Sequence, residues 1–173
     1  MSVAWVWLGL GIALVIQTTL VAIFAGNGAP VDLVLVVVIA VALSKGPVVG
    51  LWTGTSGGLL QDLLSGGLVG VGGLAKTLVG YFAGQFGTHF MVARPWDQLL
   101  VFFLGSVVHS GIYIGVDSLL SDAGYLSSYR SVVIQAIVNS LTGIGVGFGV
   151  RITPWLIARR RLRRRLNKVE TFE

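Results

Sequence analysis

Two ionisable side chains, Asp62 and Lys76, lie within apolar sequence near the middle of the chain. Charged groups in such segments are costly, so they are usually paired or functional. The turn signal Ser65-Gly66-Gly67 between them predicts that the flanking segments are antiparallel neighbours. We therefore predict either an Asp62–Lys76 ion pair or an Asp62 carboxylate that caps the following helix. Proton or ion transport by Asp62 stays open as an alternative.

The remaining carboxylates of the apolar part of the chain are not expected to join this pair. They lie beside the breaks between apolar segments, which predicts positions at the membrane interface: Asp32, Asp97, Asp117 and Asp122. Ion pathways usually combine several inward-facing carboxylates. This distribution therefore favours a structural role for Asp62.

Ser56 and His109 could supply nucleophilic chemistry. Hydrolysis by such a pair needs the imidazole within hydrogen-bond reach of the hydroxyl, with further donors for an oxyanion. Ser56 lies in a glycine-rich segment, which also explains it as a small packing residue, and His109 is expected to be a buried hydrogen-bonding residue. His89 and His109 have no acidic partner at ligand spacing, and the chain has no cysteine. We expect no catalytic residue, no metal site and no cofactor.

Membrane helices are the elements expected to position these groups. Hydrophobic residues make up 54% of the 173 residues and charged residues 11%, whereas soluble domains carry about 25% charged residues. The mean hydropathy is +0.87. The chain has room for about six helices of roughly 20 residues. The predicted fold is an all-α, polytopic membrane bundle of about six helices.

Breaks rich in glycine, proline and aspartate divide the apolar sequence into six segments, at about 3–24, 31–44, 47–64, 68–90, 98–120 and 131–158. The first has no basic residue before it and no small-residue cleavage pattern, so we expect a retained span. The second has 14 residues, which is short for a span. Residues 31–64 could form two regular helices or a less regular pair, and we favour two helices.

The charge distribution predicts orientation and two regions, a transmembrane domain over 1–158 and a basic tail over 159–173. Acids and bases balance up to residue 158, so the net charge of +5 lies in the tail. Bases mark cytoplasmic flanks, which places both termini of a six-span chain inside. Lys45 and Arg94 then lie in cytoplasmic turns and Arg130 lies outside. We expect the arginine-rich tail to contact anionic lipid and not nucleic acid, because no aromatic platform accompanies it.

Glycines recur at four-residue spacing in the third and fourth segments. Such stripes allow helix backbones to approach closely in lipid. They predict packing within the bundle or, as an alternative, a groove for another protein's helix: Gly46, Gly50, Gly54, Gly58, Gly66, Gly70, Gly80 and Gly84. The sixth segment adds Gly143, Gly145, Gly147 and Gly149 as a further small-residue face.

The glycine-rich centre carries a family resemblance. The runs GGLLQDLLSGGLVG (57–70) and GLAKTLVGYFAG (73–84) resemble the central signature of the MreD family of bacterial rod shape-determining membrane proteins. PVDLVL at 30–35 and KGP at 45–47 fit the same family, although Val31 is an extra residue in its Pro-Asp-Leu-Leu pattern. On this resemblance, the predicted structural and partner-binding centre is formed by Asp62, Ser65, Gly66, Gly70, Lys76, Gly80 and Gly84.

The resemblance implies a non-enzymatic scaffold of the cell-elongation complex. Such a scaffold binds the single-span protein MreC and helps to link MreB filaments to peptidoglycan synthases, which are a SEDS glycosyltransferase and a class B penicillin-binding protein. It also implies a fold similar to the six-helix substrate-binding subunits of energy-coupling-factor transporters.

Two other functions stay open at the level of sequence. A vitamin-binding transporter subunit would use a similar bundle, but it needs an outward pocket lined by tryptophan, asparagine and charged groups. The five tryptophans are scattered, and the first segment lacks the Ala-xxx-Ala spacing of such subunits. A rhomboid-like intramembrane protease is suggested by Gly54-Thr55-Ser56-Gly57, which is similar to Gly-x-Ser-Gly, but the other polar motifs of that family are missing.

Overall fold

The computed structural model describes residues 3–23, 31–66, 69–89, 95–120 and 130–148. These residues form six α-helices and no strand. The helices are α1 (Val3–Ile23), α2 (Leu33–Lys45), α3 (Pro47–Ser65), α4 (Val71–His89), α5 (Pro95–Leu120) and α6 (Arg130–Phe148). The predicted all-α fold with two regular helices over 31–64 is confirmed. Residues 149–158, predicted to extend the last helix, and the tail lie outside the described residues.

The shortest helix, α2, lies at the centre of the bundle. It contacts α1, α3, α4 and α5, and seven of its 13 residues are buried. Its side chains Leu35, Ile39 and Ala42 form one apolar core with Val79 and Phe102, while Val34 and Val38 pack against Leu10 of α1. A helix with neighbours on most of its faces has few positions for polar residues, and the sequence of α2 is accordingly a nearly continuous run of leucine, valine and isoleucine.

Glycines bring the backbones of α3 and α4 into direct contact. A Cβ atom added to Gly58 would lie 2.5 Å from Cα of Gly73, and one added to Gly84 would lie 2.5 Å from the nitrogen of Pro47. The hydroxyls of Thr55 and Thr77 are 2.8 Å apart across the same interface. The predicted internal packing by the stripes of α3 and α4 is therefore confirmed.

Gly66 and Gly70 serve the turn between α3 and α4 and not the interface. Their φ angles are +68° and +102°, a region that residues with a Cβ rarely adopt, and no atom lies within 4 Å of an added Cβ at either position. The prediction that this pair is a packing stripe was wrong. Their four-residue spacing reflects a chain reversal that ends one helix and begins the next.

The small-residue face predicted for α6 is present in part. An added Cβ on Gly143 would lie 2.5 Å from the Phe102 ring of α5, and one on Gly147 would lie 2.9 Å from Oε1 of Gln98. Gly145 has nothing within 4 Å, and Gly149 lies outside the described residues.

The surface is more apolar than that of a soluble protein, and the interior contains polar groups beside its apolar core. Large apolar side chains are exposed along the outer faces, for example Ile12, Trp52, Phe82 and Leu104. Polar side chains are buried: Gln17, Asp32, Thr53, Asp62, Lys76, Gln98, Ser106, His109, Ser110, Asn139 and Ser140. Soluble monomers rarely expose apolar surface on this scale. Two helices, over Trp96–Val116 and Arg130–Phe148, are long and apolar enough to cross a membrane.

Candidate functional site

Asp32 is the centre of a buried polar cluster at the N-terminal end of α2. Asp32 is 4% exposed, and its Oδ1 accepts a hydrogen bond from the backbone nitrogen of Leu35 at 2.9 Å. Asp32 was predicted to lie at the membrane interface, and the structure shows its carboxylate enclosed by protein. Thirteen residues of helix extend about 20 Å, so a helix enclosed on all sides can begin inside the bundle.

Lys76 supplies the opposite charge. Its Nζ lies 2.8 Å from Oδ2 of Asp32 and 3.1 Å from Nε2 of His109, and the residue is 2% exposed. The predicted Asp62–Lys76 ion pair was wrong. The α4 backbone at Lys76 packs against Gly54 of α3, while the side chain extends to the α2 terminus and to α5. Lys76 thus ties three helices together.

His109 is buried as predicted, but its partner is Lys76 and not Ser110 or a carbonyl. A lysine ammonium group can only donate, so Nε2 accepts and the ring proton lies on Nδ1. Nδ1 is buried and has no hydrogen-bond partner among the described residues. The ring stacks on Tyr113, with 6.3 Å between the ring centroids.

Side chains from α1 and α6 complete the cluster by binding the free backbone groups at the start of α2. Asn139 accepts from the backbone nitrogen of Asp32 at 2.8 Å and donates to Oγ of Ser106 at 3.0 Å. Gln17 accepts from the nitrogen of Leu33 at 2.8 Å and donates to the carbonyl of Val31 at 3.0 Å. The first N–H groups of a helix have no partner within the helix. Side chains of the cluster bind three of them, on Asp32, Leu33 and Leu35.

Asp62 has a separate role as the cap of α4. Its Oδ2 accepts from the backbone nitrogens of Gly70 at 2.9 Å and Gly73 at 3.1 Å, so the predicted cap is confirmed. Ser65 donates to the carbonyl of Asp62 at 3.3 Å. A carboxylate at this end also interacts favourably with the helix dipole. The α3–α4 turn is thereby held by one buried side chain.

Comparison with protein families gives one match. The family model described as rod shape-determining protein MreD matches residues 1–148, which include all six helices and both polar sites.

The chain belongs to the MreD family.

MreD proteins are membrane proteins with a role in determining rod shape, and they form a structural family that is not known to be enzymatic. No curated protein matches the chain. No solved structure matches it either.

The residues considered for catalysis do not form a site in this MreD-family chain. The hydroxyl of Ser56 donates to the carbonyl of Trp52, whereas His109 contacts Lys76. Within the part of the chain that the structure describes, no group of three or more histidine, cysteine or acidic residues could hold a metal ion. Asp32, Lys76, His109 and Asn139 instead connect helices to one another.

The sequence prediction identified the polar site at the α3–α4 turn but not the cluster at Asp32. Asp62, Ser65, Gly66 and Gly70 meet at the α3–α4 turn, and Gly80 and Gly84 continue the α3–α4 interface, but Lys76 belongs to the cluster at Asp32. The available signal was the length of the second segment, since a helix too short to span cannot have both ends at the membrane surface. Gln17 and Asn139 lie within apolar segments of the sequence, which indicates only that they are polar groups able to bond across helices.

Proposed function

We propose that this protein is a non-enzymatic scaffold of the cell-elongation complex, crossing the cytoplasmic membrane six times with both termini inside. It binds a single-span MreC-type protein and links it, directly or through other subunits, to MreB filaments and to the SEDS glycosyltransferase and class B penicillin-binding protein. The basic tail contacts anionic lipid. The family match over residues 1–148 carries this proposal.

The polar side chains of the interior are bonded to one another and to the start of α2, which supports a scaffold role. Asp32 and Lys76 neutralise each other, and Asn139 and Gln17 are bonded to the α2 terminus. These contacts hold the helices in a fixed arrangement, and the outer faces present apolar side chains to lipid or to partner helices. Association of helices within a bilayer depends on such surfaces and on close packing.

Affinity purification from native membranes in mild detergent tests the proposed partners. Mass spectrometry of the eluate should identify a single-span coiled-coil protein together with wall synthases, and deletion of the gene should convert rods to rounded cells that the intact gene restores. Retention of a vitamin together with an ATPase module would instead identify a transporter subunit. Recovery of neither partner class, with normal cell shape after deletion, would contradict the scaffold.

The proposed topology makes a separate prediction, which the absence of cysteine makes simple to test. Lys45 and Ser65 are exposed at opposite ends of the bundle, after α2 and at the end of α3. In intact cells, Ser65→Cys should react with a membrane-impermeant maleimide. Lys45→Cys should react only after the membrane is opened. The reverse pattern would mean the opposite orientation, and labelling of both from outside would contradict the six-span arrangement.

A further inference from the structure

An apolar groove opens between α1, α2 and α6 at one end of the bundle. Its cavity volume is about 90 Å³. The lining comes from the first turns of α1 and the last turns of α2 and α6, and it includes Trp5, Val6, Gly9, Ala40, Ser44 and Val146. Trp5 is 59% exposed, and an added Cβ on Gly9 would meet nothing within 4 Å. The groove is thus open to the surroundings at its mouth.

The same end of the bundle is basic. The exposed Lys45 follows Ser44 directly and ends α2. The described part of α6 ends two residues after Val146, and the sequence then continues to Arg151 and to the seven bases of the tail. Asp97 is an acid of the described part of this end, in the first turn of α5, and the tail sequence contains two acids, Glu170 and Glu173, against its seven bases. The occupant of the groove should therefore combine an apolar body with a negative group.

We propose that the groove binds one acyl chain of an anionic phospholipid, with the phosphate of the headgroup near Lys45. A cavity of about 90 Å³ has room for a short stretch of methylene groups, whereas one turn of a helix about 10 Å in diameter occupies roughly 400 Å³. Basic groups beside a membrane surface attract anionic lipid by roughly 1 kcal/mol each. The site does not depend on the proposed protein partners.

Quenching of Trp5 fluorescence by brominated lipid tests this site. The full chain, with Trp7, Trp52, Trp96 and Trp155 replaced by phenylalanine, is reconstituted in nanodiscs of phosphatidylcholine with increasing amounts of phosphatidylglycerol brominated on its acyl chains. A second series uses brominated phosphatidylcholine. We expect half-maximal quenching at a roughly fivefold lower fraction of phosphatidylglycerol, the equivalent of about 1 kcal/mol.

Two matched variants identify the groove as the source of this preference. Gly9→Leu fills the groove and should make the two quenching curves coincide. Gly11→Leu is the control, because Gly11 also has open space at its Cβ position, lies on the same helix and does not line the groove. It should keep the preference. Lys45→Gln should reduce the preference without filling the groove, and it provides the test if Gly9→Leu does not fold.

Three results would overturn the proposal. Coincident curves in the parent protein would mean that the groove has no preference for anionic lipid. Equal effects of Gly9→Leu and Gly11→Leu would place the preference elsewhere on the surface. Protection of Trp5 from both quenchers would mean that a protein segment or a second copy of the chain covers the groove.

Discussion

Replacement of Lys76 by methionine should destabilise the folded bundle by about 3–5 kcal/mol, the usual cost of removing one partner of a buried ion pair. The change leaves the Asp32 carboxylate enclosed at 4% exposure without its counter-charge. It also removes the hydrogen bond to His109. Methionine keeps most of the length of the lysine side chain, so lost packing contributes little. The loss can be measured by denaturant unfolding in detergent micelles followed by circular dichroism.

The reciprocal change isolates the charge. Asp32→Asn keeps an oxygen able to accept from Leu35 and should lose a comparable amount, because Lys76 is then the unpaired ion. The double variant, Asp32→Asn with Lys76→Met, should lose clearly less free energy of unfolding than the sum of the two single losses. Simple additivity would mean that the pair does not stabilise the fold.

Two controls separate the ion pair from general effects of removing a carboxylate. Asp97→Asn, at an exposed position in the first turn of α5, should lower stability by no more than about 1 kcal/mol, the usual contribution of a carboxylate near a helix N-terminus. Asp62→Asn combined with Lys76→Met should be additive, because Asp62 binds Gly70 and Gly73 and not Lys76. Coupling between Asp62 and Lys76 would restore the pairing that was predicted from the sequence.

Gly54→Ala is expected to have the second large effect. Overpacking should lower the free energy of unfolding by about 1–3 kcal/mol or more. The new Cβ would lie 2.6 Å from the carbonyl carbon of Lys76 and 2.9 Å from Cα of Thr77. Both neighbours are backbone atoms, so no side chain can move aside and α3 and α4 must separate. Separation also shifts Lys76 relative to Asp32, which adds to the loss.

Gly111→Ala on α5 is the matched control for this substitution. No atom lies within 4 Å of an added Cβ at Gly111. The temperature of thermal unfolding in detergent should therefore be unchanged or slightly raised. If the two variants unfolded at the same temperature, the glycine contact between α3 and α4 would not determine stability. Lowered stability of both by the same amount would mean that the loss does not come from the contact between α3 and α4, because alanine is by itself the better helix former.

The sequence was sufficient for the local features of the fold. Apolar runs separated by glycine and proline predicted the six helices, and, as expected, α2 ends just before Gly46 and α3 begins at Pro47. Gly46 has φ +90° and Pro47 occupies the first turn of α3, so both residues act through their own backbone preferences. Close approach at Gly54 and Gly58 followed from spacing alone, because four-residue spacing places both residues on one helix face.

The charged cluster could not be obtained in the same way. Asp32 and Lys76 are far apart in sequence, and their contact depends on how deeply α2 lies in the bundle. That depth is set by tertiary packing and leaves no periodic pattern. Asp62 was paired with Lys76 because the turn brings their helices together, but the backbone N–H groups of Gly70 and Gly73 are nearer donors to its carboxylate. A local cap took precedence over a charge partner further along the helix.

The shortness of α2 has a consequence for how the protein enters the membrane. A segment of 13 residues is too short to cross about 30 Å of hydrocarbon by itself, so we expect it to insert together with α3 as a hairpin and not as an independent span. Asp32 would then meet lipid during synthesis until Lys76 and Asn139 emerge from the ribosome. Because Asp32 is translated before its partners, we expect the carboxylate to need protection from lipid at that stage, for example by a membrane insertase.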